Sequence, residues 1–117
     1  MSLAMGMMKK VMFKVSQSRL SYEETVKKVH EKALEVGWNV PVVFELQKHY
    51  IEHGLSDMSK ATNIYLCNPQ GGYEIMRDDE FKPMSVMMPT PVSVYENSAG
   101  DVFVARMNLG TMSRMFG

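Results

Sequence analysis

The chain is poor in the features that usually announce a function. It has one cysteine, Cys67, in 117 residues, so no intrachain disulfide can form. That fits a reducing compartment, and a cytoplasmic location is the expectation. No apolar run approaches the ~20 residues of a membrane span. Charge of either sign is not in excess: 13 Lys+Arg balance 13 Asp+Glu. A general nucleic-acid binder needs a clustered basic surface, so no nucleic-acid partner is expected. No glycine-rich phosphate loop, zincin, kinase or nucleophile-elbow signature occurs, and no cofactor is evident.

What is present reads as one small α+β domain. The length suits a single core. Met1–Met8 read as a tag or as a disordered or native N-terminal extension, and residues 9–117 as the domain. Alternation of Val11, Phe13 and Val15 with Met12 and Lys14 predicts a strand over Lys10–Val15. Ser21-Tyr22-Glu23-Glu24 is a capping box that opens a helix through about Val36, stopped by Gly37. Val40–Phe44 reads as a strand placed at an edge by Pro41. Leu46–His53 reads as a short helix, and Ala61–Cys67 as a strand. Asn68-Pro69 supplies an N-cap and a first helical residue for another short helix. Val86–Met88 and Val92–Tyr95 are strand-like. Asn97–Gly100 is a turn that makes a hairpin with Asp101–Met107. Leu109–Phe116 reads as a terminal helical turn or two. The order predicts a mainly antiparallel sheet of about five strands with two main helices on one face.

Three segments carry a family resemblance: the Ser21–Thr25 helix start, Leu66-Cys67-Asn68-Pro69, and the Met88–Glu96 strand. Together they resemble the family known as domain of unknown function 302, over about Phe13 to Asn108. The resemblance implies a curved sheet similar to the TATA-box-binding-protein class and no settled activity. Two positions depart from the family's pattern. Glu45 stands where members often have Asp, and Met88-Pro89-Thr90 where they often have Leu-Pro-Cys.

Three groups of residues could carry chemistry. Cys67 precedes a helix N-cap, where a helix terminus favours a thiolate. A thiol-dependent enzyme or redox protein using Cys67, with a histidine as base, is one reading; a packed small side chain is the plainer one. Glu45, His49 and His53 recur at four-residue spacing, which puts them on one helical stripe and gives two imidazoles metal-ligand spacing. A solvated stripe is the plainer reading. The thirteen methionines are scattered as core filler and not as a copper ligand set.

The third group is a sheet face. Alternation places Val11, Phe13, Val15, Ile64, Leu66, Val92, Val94, Val102 and Val104 on the side that meets the helices. The other side then carries Met12, Lys14, Tyr65, Cys67, Ser93, Tyr95, Phe103 and Ala105. Tyr65, Tyr95 and Phe103, with Asn68 at the strand end, mark it as a surface for a partner or a small ligand. The expected function is therefore a non-enzymatic binding or interaction module, and the expected partner a second copy of the chain. The competing cover for this face, within one chain, is the Met-rich N-terminus or the Leu109–Phe116 tail.

Overall fold

A computed structural model describes residues 2–110. The architecture is α+β. A five-stranded, wholly antiparallel sheet runs in the order β1-β5-β4-β3-β2. Its strands are β1 (Phe13–Gln17), β2 (Asn39–Glu45), β3 (Ala61–Cys67), β4 (Thr90–Glu96) and β5 (Val102–Met107). The helices are α1 (Leu3–Met12), α2 (Tyr22–Glu35), α3 (Leu46–Glu52) and α4 (Pro69–Met76), with a 3₁₀ turn over Lys82–Met87.

Helix α2 lies across β2, β3 and β4. Its start is the capping box: Ser21 Oγ accepts from the Glu24 amide at 3.1 Å and donates to the Glu24 carboxylate at 3.0 Å. Its end is a left-handed glycine cap. Gly37 has φ +84°, and the Trp38 amide reaches back to the Ala33 carbonyl at 2.9 Å. Between these ends Tyr22, Val26 and Val29 pack on Ile64, Val94 and Val102, joined by Val40, Leu66 and Val104. Ile64 and Val94 are fully buried. This is the core, and it occupies one side of the sheet.

The β4–β5 hairpin closes as its sequence demands. The Asn97 side-chain oxygen accepts from the amides of Ala99 and Asp101, and Gly100 takes φ +86°. β2 is an edge strand, and its register with β3 shifts between Asn39 and Val42, the stretch that contains Pro41.

Three expectations are corrected. Lys10–Met12 are the last turn of α1 and not strand, so β1 starts at Phe13 and runs to Gln17. Val86 and Met87 belong to the 3₁₀ turn, and β4 begins only at Thr90. The phase of β1 is reversed. Val15 pairs with Ala105, and Phe13 with Met107. Directly paired residues share a face, so Phe13 and Val15 stand on the side away from α2, and Lys14 on the α2 side. The expected tail helix falls largely on residues 111–117, outside the described residues.

Candidate functional site

The side of the sheet away from α2 is built from cross-strand rows. One row runs Gln17–Phe103–Tyr95–Ala61 across β1, β5, β4 and β3. The next runs Val15–Ala105–Ser93–Asn63–Phe44, across all five strands. The third holds Phe13 paired with Met107, and Pro91–Tyr65–Val42. Pleating makes each row's side chains project together.

The rows differ in size. The middle row has small side chains at its centre: Ala105, Ser93 and Asn63. The rows on either side carry rings: Phe103 stacks on Tyr95 with centroids 5.6 Å apart, and Phe13 and Tyr65 stand in the third row. The face is therefore a trough. Its outer rows are four residues apart along each strand, roughly 13 Å. The floor carries two polar side chains, Asn63 and Ser93, which pair across β3 and β4. Neither makes a side-chain hydrogen bond among the described residues.

Tyr65, Tyr95 and Phe103 all lie on this face, half-buried, as the alternation of β3, β4 and β5 predicts. They do not form one cluster around Cys67. Tyr95 pairs with Ala61, at the far end of β3 from Cys67, whereas Tyr65 is its near neighbour on the strand. Sequence patterning does not single out Asn63, Phe44 or Val42, and it places Phe13 and Val15 on the opposite face. Asn63 was accessible through its two-residue spacing from Tyr65. Phe13 and Val15 were not, because only pairing with β5 fixes their side.

Cys67 ends β3, paired with Asn39 and half-buried. Its thiol makes no hydrogen bond or ion pair among the described residues. The terminus of α4 that follows is already supplied with an acceptor. The Asn68 side-chain oxygen takes the Gly71 amide at 3.2 Å, and the Asn68 carbonyl takes the Gly72 amide at 2.8 Å. Gly71 suits this closeness: a Cβ there would sit 3.1 Å from Asn68 Nδ2, so the Asn68 side chain would have to give by a few tenths of an ångström. No histidine approaches the thiol. His49 follows the opposite end of β2, whose last residue, Glu45, lies six positions or roughly 20 Å beyond the Asn39 that pairs with Cys67. His30 sits on α2, across the sheet.

Of the helical stripe, His49 and His53 do come together, with ring centroids 4.5 Å apart. The His53 ring donates from Nδ1 to the His49 carbonyl at 2.9 Å, and His49 also leans on Phe44 at 5.2 Å. Glu45 diverges from them. It pairs with Thr62 on the α2 side, near enough to Tyr22 for its charge to act on that phenol. No group of three or more His, Cys, Asp and Glu side chains suited to a metal occurs among the described residues.

The perturbed titrations lie on the α2 side. Tyr22 hydrogen-bonds Thr62 through its phenol. Burial raises its pKa above the ordinary tyrosine value, opposed by that hydrogen bond and assisted by the Glu45 charge. Beside it, Lys60 Nζ meets Glu23 at 2.7 Å and sits 5.6 Å over the Tyr22 ring. The hydrogen bond to Lys60 lowers the pKa of Glu23, and that to Glu23 raises the pKa of Lys60. These contacts tie α2 to β3.

Comparison with known proteins agrees with this fold and adds no activity. No curated protein matches the sequence. The fold is similar to the crystal structure of an uncharacterised conserved DUF302 protein from Bacillus stearothermophilus. The TM-score is 0.78 at 18% identity, covering 89% of this chain and 79% of that one. Among the described residues no helix is long and apolar enough to cross a membrane. The sequence matches the family described as domain of unknown function DUF302 over residues 13–117, and the chain belongs to that family.

Proposed function

We propose that the protein is a binding module that acts through the trough on the sheet face away from α2, and that the occupant is a second copy of the same chain. The observation that carries this reading is the side-chain content of the trough. An antiparallel sheet with one face in water normally alternates apolar with charged and polar residues. Here the three rows on β1, β3, β4 and β5 hold Phe13, Val15, Ala61, Tyr65, Pro91, Tyr95, Phe103, Ala105 and Met107 beside the uncharged polar Gln17, Asn63 and Ser93, with no lysine, arginine or carboxylate. In the single chain Phe13 is 42%, Val15 40% and Phe44 37% exposed.

Size supports a macromolecular occupant. Five strands about 4.8 Å apart and some 17–20 Å long present on the order of 450 Å² in projection. With side-chain relief this approaches one partner's share, about 800 Å², of a standard interface. A two-fold contact lets one patch satisfy itself. It would also set Asn63 and Ser93 against their symmetry mates, where paired amides and hydroxyls would fix the register of an otherwise apolar contact.

Sedimentation equilibrium at micromolar concentration tests the reading. The expected result is twice the mass of one chain. Tyr95→Glu, which puts a charge on the ring-bearing wall, should return the monomer with its circular dichroism unchanged. A wild-type monomer at tens of micromolar overturns the proposal.

A further inference from the structure

The α2 side of the molecule carries a second apolar surface, independent of the trough. The last turns of α2, the glycine cap and the start of β2 leave a groove of about 400 Å³ lined by Lys28, Val29, Lys32, Ala33, Val36, Trp38 and Leu66. The arrangement follows from the cap. Gly37 turns the chain at φ +84°, and the backbone bond from Trp38 to Ala33 holds the indole beside the helix it has just left. Val29, Ala33 and Leu66 form the floor, which is the rim of the core. Val36 stands on the edge, 69% exposed.

The polar members of this groove are both cations, one helical turn apart. Lys32 is partly neutralised by Glu35 at 3.3 Å. Glu31, the other nearby carboxylate, is engaged by Lys27 at 3.9 Å. Lys28 makes no ion pair among the described residues. An apolar groove with an unpaired ammonium at its rim matches an amphiphile whose tail is a single hydrocarbon chain and whose head is an anion. The groove is shallow and open to solvent, and its about 400 Å³ receives part of a single chain along one side.

We propose that this groove binds a free long-chain carboxylate, with the tail along Val29, Ala33, Trp38 and Leu66 and the head group at Lys28. The chain provides its own probe, because Trp38 is the only tryptophan. The experiment titrates dodecanoate, below its micelle concentration, into the full chain and follows Trp38 emission and calorimetric heat together. Saturable binding with a change in Trp38 emission is expected. Lys28→Glu, an exposed change that leaves the fold intact, should weaken it about tenfold, consistent with loss and reversal of one exposed ion pair. Dodecyltrimethylammonium, with the same tail and a cationic head, should bind at least tenfold more weakly than dodecanoate. Three results would overturn the proposal: no saturable heat or emission change, equal binding of the cationic amphiphile, or dodecanoate affinity unaltered in Lys28→Glu. Pelleting of the protein with anionic phospholipid vesicles, without binding of free dodecanoate, would also overturn it, by assigning the groove to a membrane surface. Tyr95→Glu, which tests the trough, should leave dodecanoate binding unchanged, so the two proposals fail separately.

Discussion

The two faces of this sheet come from the same strands and nearly the same residue types, yet they end in different environments. Along β3, Thr62, Ile64 and Leu66 point to α2, while Asn63, Tyr65 and Cys67 point away. Thr62 and Ile64 are 2% and 0% exposed; the intervening residues are half-exposed. Polar groups are treated differently as well. Thr62 is buried with its hydroxyl held by Tyr22, as a buried polar atom requires. Asn63 and Ser93 have side chains that bond nothing among the described residues. A face completed within the chain has satisfied its polar groups. The face away from α2 is apolar and half-exposed, its amide and hydroxyl groups are left to solvent in the single chain, and that difference is what the proposed self-association rests on.

The sharpest way to break this comparison is to truncate one residue on each face. Ile64→Ala should lower the unfolding free energy by about 3–4 kcal/mol, because Ile64 is fully buried and its neighbours cannot close the cavity. Phe103→Ala removes a larger side chain from the other face. If the trough is open in the monomer, the truncation should cost the monomer under about 1.5 kcal/mol, from the half-burial of the ring alone, because Tyr95→Glu has already removed the stacking partner. Urea unfolding of the two variants in a monomeric Tyr95→Glu background provides the measurement. Equal losses would mean that Phe103 is core, and the distinction between the faces would fail.

Much of this was legible in the sequence where the determinants are local. The capping box at Ser21, the glycine stop at Gly37, the Asn97–Gly100 turn and the Asn68-Pro69 helix start each fix backbone bonds within a few residues, and each was read correctly. Alternation within β3, β4 and β5 also assigned Tyr65, Tyr95 and Phe103 to one face. Alternation states which residues share a side and is silent on which side that is. For β1 that choice rests on pairing with β5, about ninety residues away, and there the reading went to the wrong face. Short apolar runs were the other weakness. Val86–Met88 has strand-like residues, but Pro83 starts a 3₁₀ turn that absorbs Val86 and Met87. The groove at Trp38 left no trace in sequence, because it depends on where the glycine cap sends the chain relative to Leu66.

A smaller effect separates the faces by their polar groups. Tyr22→Phe keeps the ring against the core and removes the phenol that bonds Thr62. The buried Thr62 hydroxyl then loses a partner, at about 1–2 kcal/mol. Tyr22→Phe with Thr62→Val removes both ends of the bond and should recover part of that loss. Asn63→Ala on the other face should cost the monomer nothing of this kind and should instead weaken self-association. Thermal unfolding and sedimentation together distinguish the two outcomes. A Tyr22→Phe variant as stable as wild type would show that the buried hydroxyl pair contributes little to the α2 side.

The smallest expected effect concerns the charges at the border of the α2 face. Glu23, in the first turn of α2, and Lys60, just before β3, pair at 2.7 Å, and both are exposed. The pKa of Glu23 is lowered in the folded protein, mainly by its hydrogen bond to Lys60. A lowered carboxyl pKa contributes stability above the unfolded value and loses it as pH falls through the folded value. The pKa of Lys60 is raised, mainly by its hydrogen bond to Glu23. That contribution is complete below the unfolded lysine value and is lost as pH rises through the folded one. The pair therefore supports folding across the neutral range and fades at both extremes, from Glu23 on the acid side and from Lys60 on the alkaline side. Water and salt screen an exposed pair, so the effect should be small and should shrink further at high ionic strength. Lys60→Gln should flatten the acid limb of the stability profile without moving the dimer equilibrium, since neither residue lies in the trough. The check is urea unfolding from pH 3 to 7 at low and high salt. An acid limb unchanged by Lys60→Gln at low salt would show that the pair adds nothing to the hold of α2 on β3.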